Sequence, residues 1–250
     1  MLIQVTKENI DSEHICCAIS EKKGENCVGS KKAWMTKQFD DGLVFTKLDE
    51  RGKVFIEYIP ADKAWIPIDG PKYMHVNCLW VSGKFKGQGY STKLLNSCIE
   101  DAKDKGYIGL TALGSKKKKH FLPDPKHLKH KGFQIADTIA YDYELLYLPF
   151  EENADMPKFN DCVRDCSIDD SGYVLYYTNQ CPHTDKYVPI LESAIKEAGK
   201  TIKIIKIECL KDAKSCPAPF TTYSLFYNGS LYTNEILGPS KITKMLKAHS

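Results

Sequence analysis

A loop with two glycines and a lysine lies at residues 86–91, between an apolar strand and an amphipathic helix. The loop reads Lys-Gly-Gln-Gly-Tyr-Ser, and Gly87 and Gly89 let the main chain approach a ligand closely. Main-chain N–H groups at the helix start, together with Lys86, would face an anion. The spacing differs from that of the Walker loop and of the full dinucleotide fingerprint, so an ordinary strand-to-helix turn is the alternative. The loop predicts a site for a phosphate or pyrophosphate.

Ten cysteines are the outstanding feature of the composition. An even number of cysteines is typical of disulfide frameworks in small secreted proteins, but the charged N-terminus has no signal-peptide pattern. We therefore expect a cytoplasmic protein with reduced thiols, most of them buried as small apolar side chains. One Cys-x3-Cys spacing alone does not form a zinc site, so no metal is expected. The cysteines are Cys16, Cys17, Cys27, Cys78, Cys98, Cys162, Cys166, Cys181, Cys209 and Cys216.

Length and charge exclude several classes of protein. The 250 residues correspond to about 1.7 average domains, and 42% hydrophobic residues suffice for a buried core. A formal net charge of +3 gives no reason to expect nucleic acid or an anionic membrane as a partner. The sequence contains no run of about 18 apolar residues, so no membrane span is expected.

The pattern of residues 1–150 predicts helices, an antiparallel meander and then a strand–helix–strand unit. Strands are predicted at 2–5, 43–48, 53–59, 73–81, 107–113 and within 133–149. Helices are predicted from about residue 9, then at 32–40, 90–105 and 125–131. The helix at 90–105 carries one apolar stripe at three- and four-residue steps. The fold class is therefore α/β (α+β), with a mixed central sheet flanked by helices.

The glycine loop resembles motif A of the GNAT superfamily of N-acetyltransferases, whose signature is Arg/Gln-x-x-Gly-x-Gly/Ala. Lys86, Gly89 and Ser91 occupy the three signature positions, with lysine and serine replacing the usual residues but still able to bind an anion. The segment 130–133, His-Lys-Gly-Phe, resembles the end of the family's fourth helix. The element order is also the family's over residues 1–150. The resemblance implies transfer of an acetyl group from acetyl-CoA to an amine.

The resemblance also implies where acetyl-CoA binds. The pyrophosphate would lie on the loop, and the pantetheine arm would pair with the preceding strand, where two parallel strands separate. A main-chain N–H near Val81 would stabilise the oxyanion of the thioester carbonyl. The residues assigned to acetyl-CoA are Leu79, Trp80, Val81, Lys86, Gly87, Gln88, Gly89, Tyr90 and Ser91.

Acetyl transfer needs a base for the ammonium and an acid for the departing thiolate. The family's usual acid is a tyrosine, but the matching position here is Leu128. His127 lies beside it and could donate a proton near neutral pH, although a solvated basic surface is the alternative. Glu57, His75 and Asn77 lie on strands that could line the cleft, and they are the candidates for the base. Each is also compatible with an ordinary strand position, with water relaying the proton.

An acidic, proline-marked stretch at 149–157 predicts a boundary between a domain at 1–150 and a domain at 151–250. The second region has a strand from residue 172, a helix through 196, a strand at 201–209, a hairpin around Gly229 and a helix from 239. This order resembles the thioredoxin-like C-terminal domain of YoaP-type acetyltransferases. In that resemblance, Pro219 matches the fold's cis-proline position.

Cys181 stands where the thioredoxin fold places its nucleophilic cysteine, before a helix whose N-terminus could lower the thiol pKa. Thr184 replaces the second cysteine of the Cys-x-x-Cys pattern, so dithiol exchange is not expected. Cys216, near Pro219, could pair with Cys181. The alternative is a redox-silent domain that binds substrate or stabilises the transferase.

The sequence therefore predicts an acetyl-CoA-dependent N-acetyltransferase acting on a small-molecule or peptide amine. The alternatives are a thiol-based redox or detoxification protein and a non-catalytic acyl-CoA-binding module. The identity of the amine and the oligomeric state stay open.

Overall fold

The computed structural model describes residues 1–15, 17–19 and 23–249. The helices in the described part of the chain are α1 (Cys27–Gln38), α2 (Tyr90–Asp104), α3 (Pro125–His130), α4 (Pro182–Glu197), α5 (Leu210–Lys214) and α6 (Pro239–Ala248). The strands are β1 (Leu2–Val5), β2 (Val44–Leu48), β3 (Val54–Pro60), β4 (Ile68–Asp69), β5 (Tyr73–Val81), β6 (Gly109–Ser115), β7 (Gln134–Ile139), β8 (Tyr143–Pro149), β9 (Lys158–Phe159), β10 (Tyr173–Tyr177), β11 (Ile202–Lys206), β12 (Tyr223–Tyr227) and β13 (Ser230–Thr233).

Seven strands form the large sheet, in the order β1-β2-β3-β5-β6-β8-β7. Neighbouring strands are antiparallel except β5 and β6, which run parallel. A parallel pair needs a crossover connection, and α2 supplies it. The mixed sheet flanked by helices is the fold class that the sequence predicts, and it is confirmed.

Helix α2 covers one face of the large sheet because its apolar residues recur along one side. Leu94, Leu95, Cys98 and Ala102 are all buried, and they pack in one cluster with side chains of β3, β5 and β6. Burying side chains of this size stabilises the fold by about 1.5–3 kcal/mol each for the two leucines. This packing fixes the N-terminus of α2, and with it the glycine loop, against the sheet.

The helix predicted from about residue 9 is wrong, because residues 7–12 form turns. The Asn9 side chain explains the difference: its Oδ1 accepts from the Thr6 N–H at 2.8 Å, and its Nδ2 donates to the Gln4 carbonyl at 3.0 Å. Asparagine thus bonds the local main chain in a turn and competes with a helix. The first helix is α1, which starts five residues before the predicted residue 32. Cys16 lies outside the described residues.

A second, four-stranded sheet has the order β11-β10-β12-β13. Strands β10 and β11 are parallel and joined by α4, and β12 and β13 form an antiparallel hairpin, with Asn228 and Gly229 both at positive φ in its turn. The predicted order of strand, helix, strand, hairpin and helix is present. The described residues contain no cis peptide bond, so Pro219 is trans although its position matches the cis-proline of the thioredoxin fold.

Contacts cross the predicted boundary at residues 149–157. Strand β9 pairs with β4, so the chain returns to residues 68–69 directly after this stretch. Helix α1 packs against α4, where Ser30 Oγ donates to Asp185 Oδ1 at 2.7 Å. One apolar cluster contains side chains from both regions, such as Phe45 and Phe226. No helix in the described part of the chain is long and apolar enough to cross a membrane.

Candidate active site

Strands β5 and β6 separate halfway along their length. Their parallel pairing runs from Tyr73↔Gly109 to Val76↔Ala112 and ends there, although β5 continues to Val81. On its other side β5 stays paired with β3, from Met74 to Val81. The edge of residues 77–81 that faces β6 therefore presents main-chain groups without a strand partner, where an extended ligand can pair. Leu79, Trp80 and Val81, which the resemblance assigns to the pantetheine arm, lie in this segment.

The glycine loop lies at the end of this open edge. Gly87 and Gly89 have φ of +77° and +78°, and a Cβ built on either would meet nothing within 4 Å. Gly89 caps α2, whose first N–H groups have no acceptor within the helix. Lys86 is exposed beside them. Open space, free N–H donors and a cation together suit a phosphate group.

Phe85 anchors the loop to the sheet. Its ring is 6% exposed and meets Tyr90 edge-on, with 5.9 Å between the ring centroids. It also fills the space at Gly52, where a Cβ would come within 2.2 Å of the ring. The loop backbone is thus held in place before any ligand binds.

His127 lies beside the glycine loop, on α3. Its Nε2 is 2.7 Å from Ser91 Oγ, in the first turn of α2. Loss of solvation and then the nearby Lys131 lower the pKa of His127, which favours the neutral ring. This position is next to the anion-binding loop and not in the cavity described below. His127 is the candidate acid for the departing thiolate, and here its ring contacts Ser91 Oγ and does not line the cavity.

A cavity of about 110 Å³ lies on the face of β3 and β5, between the two regions of the chain. Residues 1–150 supply charged, aromatic and thiol side chains, and residues 151–250 close the other side. The first group includes Lys31, Phe55, Glu57, Asn77, Cys78 and Trp80. The second group is Gln180, Cys181, His183, Phe220 and Thr222.

Glu57 is the central charged group of this cavity. Its side chain is 2% exposed and its Oε2 forms an ion pair with the Lys31 ammonium, which is equally buried. Its Oε1 accepts a hydrogen bond from Asn77 Nδ2 at 3.1 Å. Lys31 also lies over the Trp34 ring, 4.3 Å from the centroid. The structure thus brings Glu57 and Asn77 together, as two of the four predicted catalytic residues.

His75 does not line this cavity. It is 3% exposed, its Nδ1 is 2.9 Å from Thr111 Oγ1, and it lines an adjoining small cavity of about 20 Å³. The two cavities share Asn77, Gln180, Phe220 and Thr222. Burial, followed by the nearby Lys214, lowers the pKa of His75 to about 3. The ring is therefore neutral at ordinary pH and a poor proton acceptor. It belongs to the part of β5 that is still paired with β6.

Cys181 differs from its prediction in two ways. Loss of solvation raises its pKa to about 12, far more than the His183 main-chain contact lowers it, so the expectation of an activated thiolate is wrong. The neighbouring thiol that raises the pKa of Cys181 is Cys17. Cys216 has a different neighbour, since Cys162 Sγ donates to its carbonyl at 3.5 Å. The expected Cys181–Cys216 pair is therefore not formed. No disulfide joins any two of the cysteines that the structure describes.

Sequence reasoning missed the side chains that complete the cavity. Lys31, Cys17 and Phe121 come from segments without a chemical motif, and Phe220 follows Pro219 in a loop of the second region. Of these four residues, Phe220 alone had a signal in the sequence, because it follows Pro219, which matches the cis-proline position of the thioredoxin fold. Among the described residues, no group of three histidine, cysteine, aspartate or glutamate side chains is arranged to hold a metal ion.

Comparisons with known proteins match both regions of the chain. A family model described as Acetyltransferase (GNAT) family matches residues 11–121, and one described as YoaP-like matches residues 201–244. The Bacillus subtilis (strain 168) protein named "Uncharacterized N-acetyltransferase YoaP" is 41% identical over 244 residues, which are 98% of this chain and 97% of that protein.

Two solved structures show a weaker likeness. The Escherichia coli GNAT N-acetyltransferase YhbS, in complex with CoA, is 13% identical, with a TM-score of 0.43 over 64% of this chain and 89% of its own. The Salmonella typhimurium acetyltransferase yncA, with acetyl-CoA, is 14% identical, with a TM-score of 0.42 over 62% of this chain and 96% of its own. The assignment rests on the Bacillus relative: the chain belongs to the GNAT family of N-acetyltransferases, among members that carry a YoaP-like domain.

Proposed function

We propose that this N-acetyltransferase moves the acetyl group of acetyl-CoA to a primary amine bound in the cavity between its two regions. One observation carries the proposal: the open edge of β5 at residues 77–81 connects the glycine loop to the cavity that holds Glu57. A ligand paired along this edge, with its phosphates at the loop, would present its other end beside Glu57. Acetyl-CoA has this extended shape, with a pyrophosphate at one side and the thioester at the other.

The residues present fit acetyl-CoA. Its pyrophosphate suits the open space at Gly87 and Gly89 and the free N–H groups of α2, with Lys86 adding charge. Bound there, acetyl-CoA supplies an activated acetyl group. Main-chain N–H groups near Val81, on the open edge, can donate to the carbonyl oxygen as negative charge develops.

Glu57 acts as the base in this proposal. The carboxylate accepts one proton from the incoming ammonium, which frees the nitrogen lone pair for attack on the carbonyl carbon. Asn77 orients the carboxylate through its hydrogen bond to Oε1, and Lys31 holds Oε2 in an ion pair. The nitrogen loses its second proton as the tetrahedral intermediate breaks down, and this proton neutralises the departing sulfur. No tyrosine lines the cavity within the described ranges, and Leu128 is buried at the family's tyrosine position.

The walls of the cavity favour an amine with an apolar substituent. Phe55, Trp80, Phe121 and Phe220 surround the charged pair, and the only carboxylate lining the cavity in the described residues is already paired. A second ammonium on the acceptor, as in a polyamine, would find no free carboxylate there. An alkyl or aryl group would bury its surface against the rings, at about 25 cal/mol per Å².

The second region contributes to acceptor binding in this proposal, and not to dithiol exchange. Its Cys181, His183 and Phe220 lie in the cavity, while Thr184 leaves the region without a Cys-x-x-Cys pair. We assign residues 151–250 to a thioredoxin-like accessory domain, supported by the strand order and by the helix between β10 and β11. The cytoplasmic location and the boundary near residue 150 are part of the same proposal.

The test is an assay of the full chain with acetyl-CoA and a panel of amines, with the acetylated product identified by mass spectrometry. We expect turnover, with a higher kcat/KM for aryl- and alkylamines than for polyamines of similar length. Binding of acetyl-CoA without turnover of any amine would favour a non-catalytic acyl-CoA-binding module. Preference for polyamines would contradict the cavity argument, and absence of acetyl-CoA binding would contradict the whole proposal.

A further inference from the structure

Three thiols from distant parts of the chain meet in the acceptor cavity. Cys17 lies in the segment before α1, Cys78 lies on β5, and Cys181 is the N-cap residue of α4. The family chemistry proposed above needs none of them. Their presence around Glu57 therefore calls for a separate explanation.

Cys17 and Cys78 are in direct contact. The Cys17 thiol is hydrogen-bonded to the Cys78 thiol, and both are half-buried free thiols. Cys78 lies opposite Glu57 in the β3–β5 ladder, so the thiol pair is beside the proposed base. Cys181 faces the same pair from the second region, and the Cys17 thiol raises the pKa of Cys181. Two thiols in contact can be joined with little movement of the main chain.

We propose that Cys17 and Cys78 form a reversible disulfide inside the acceptor cavity, which closes the cavity to the amine. The bond would tie the segment before α1 to β5 across the space next to Glu57. Its effect on turnover rests on the proposed function, whereas the bond itself does not. The oxidant is a small-molecule disulfide, which would reach the thiol pair from the rim of the cavity, where Trp80 and Phe121 are exposed.

The exchange balances in two steps. One cysteine loses its proton and its sulfur attacks the small-molecule disulfide, forming a mixed disulfide and releasing one thiolate, which takes up that proton. The second cysteine then displaces the second small thiol in the same way. The protein loses two hydrogen atoms and two electrons, and the oxidant is reduced to two thiols. Excess dithiol reverses both steps.

The surroundings of the Cys17–Cys78 pair set the rate at which it is oxidised. The hydrogen bond to Cys78, followed by burial, raises the pKa of Cys17, so at neutral pH the thiol is protonated. The charged groups that act on Cys17 are Lys31, which lowers this pKa, and Glu57, which raises it. Since the thiolate is the reacting form, oxidation of this pair will be slower than that of the exposed Cys209, and faster at alkaline pH.

The experiment treats the full chain with oxidised glutathione at several pH values and maps the disulfides by mass spectrometry of non-reduced peptides. We expect a Cys17–Cys78 peptide, loss of acetyl transfer in proportion to its formation, and recovery with dithiothreitol. Cys78→Ser abolishes the linked peptide. Cys209→Ser, a change at an exposed thiol outside the cavity, leaves both the peptide and the loss of activity unchanged. Cys16→Ser must also leave the peptide in place, since Cys16 adjoins Cys17 in the sequence.

A bond from Cys17 to Cys181, a bond through Cys16, or Cys17 and Cys78 still unmodified after prolonged incubation at the most alkaline pH would each overturn the proposal. A Cys17–Cys78 bond that leaves acetyl transfer unchanged would overturn the closing of the cavity. Peptide mapping requires no amine, so it can succeed even where the acetylation assay fails. Failure of the proposed function is thus distinguishable from failure of the disulfide.

Discussion

Glu57 is a buried carboxylate whose two oxygens have different partners. Oε2 meets the Lys31 ammonium and Oε1 accepts from Asn77. Taking a carboxylate out of water is strongly unfavourable unless a charge and hydrogen bonds replace the solvent, and here both are present. The surrounding cavity gives an amine access to the carboxylate. The arrangement suits a base better than a purely structural ion pair, which would have no reason to line a cavity.

Glu57→Gln tests this assignment. The amide keeps the shape of the side chain but cannot accept a proton, so we expect kcat/KM for the amine to fall about 100-fold or more. Acetyl-CoA binding should stay unchanged, because the glycine loop is not altered. Steady-state kinetics with the preferred amine and calorimetric titration of acetyl-CoA measure the two effects.

A control is needed because Glu57→Gln leaves Lys31 buried without a counter-charge. Breaking one side of a buried ion pair typically destabilises a protein by about 3–5 kcal/mol. The double variant Lys31→Met with Glu57→Gln replaces the charge with an apolar chain and should recover most of that stability. If the double variant also recovers activity, Glu57 is a structural residue and not the base.

The sequence predicted Glu57 and Asn77 because they lie on strands that could line the cleft, and His75 was predicted on the same ground. His75 has the same parity on β5 as Asn77, but its surroundings differ. At His75 the strands β5 and β6 are still paired, whereas the pairing ends before Asn77. Lys31 could not be predicted, because its burial depends on how α1 docks against the sheet. The alternation of side chains along a strand thus shows which residues share one face of the sheet. Tertiary packing decides which residue on that face is accessible.

The N-terminus of α2 and the glycine loop form one structural unit. Apolar residues on one side of α2 fix the helix on the sheet, Phe85 fixes the loop, and the two glycines leave open space for a ligand. The apolar stripe of α2 and the glycine loop can both be predicted from the sequence, since each depends on the spacing of residues that are close together in the chain. The turn at Asn9 could not, because a side-chain hydrogen bond to the main chain outcompeted helix formation.

Gly89→Val tests the loop against a matched position, Gly106→Val. The two glycines have φ of +78° and +77°, and neither has an atom within 4 Å of a built Cβ. Backbone strain and loss of stability should therefore be similar. Only Gly89 borders the loop, where a side chain blocks the phosphates and removes charge-assisted contacts of about 1.5–3 kcal/mol. We expect the Kd for acetyl-CoA to rise about 10- to 100-fold for Gly89→Val and to stay unchanged for Gly106→Val.

Calorimetry with acetyl-CoA gives these Kd values, and thermal unfolding shows whether the two variants are equally destabilised. Equal weakening of both variants would mean that lost stability, and not the loop, explains the effect. Wild-type affinity in Gly89→Val would contradict the assignment of the pyrophosphate to this loop.

The two regions of the chain form one cavity and share one apolar cluster. Sequence patterns could assign elements to each region, because periodicity and turns are local. They could not show that Cys181 and Phe220 face Glu57, since more than 120 residues of chain separate them and no local signal encodes the docking. Sequence reasoning paired Cys181 with Cys216 for this reason, whereas the thiol that acts on Cys181 is Cys17, from the other region.

Lys214 is one of the side chains that join the regions. From α5 its Nζ donates to the carbonyls of Ala61 and Ile68, at 2.7 and 3.0 Å. Loss of solvation lowers the pKa of Lys214 from 10.5 to about 8, more than Asp62 and Asp69 raise it. The folded state thus holds this proton more weakly than the unfolded chain does. Between pH 8 and 10.5 the unfolded chain binds more protons, so the contribution of Lys214 to the free energy of unfolding rises with pH.

Lys214→Met removes this titration. We expect the wild type to gain stability relative to the variant as pH rises from 8 to 10.5, by up to about 3 kcal/mol, since each pKa unit corresponds to about 1.4 kcal/mol. Urea unfolding of both proteins at several pH values measures the difference. The comparison between them cancels the thiols and tyrosines that titrate in the same range. Lys211→Met, at an exposed position of the same helix, should show no such trend. Parallel stability curves for wild type and Lys214→Met would show that the charge of Lys214 is not disfavoured by docking of the two regions.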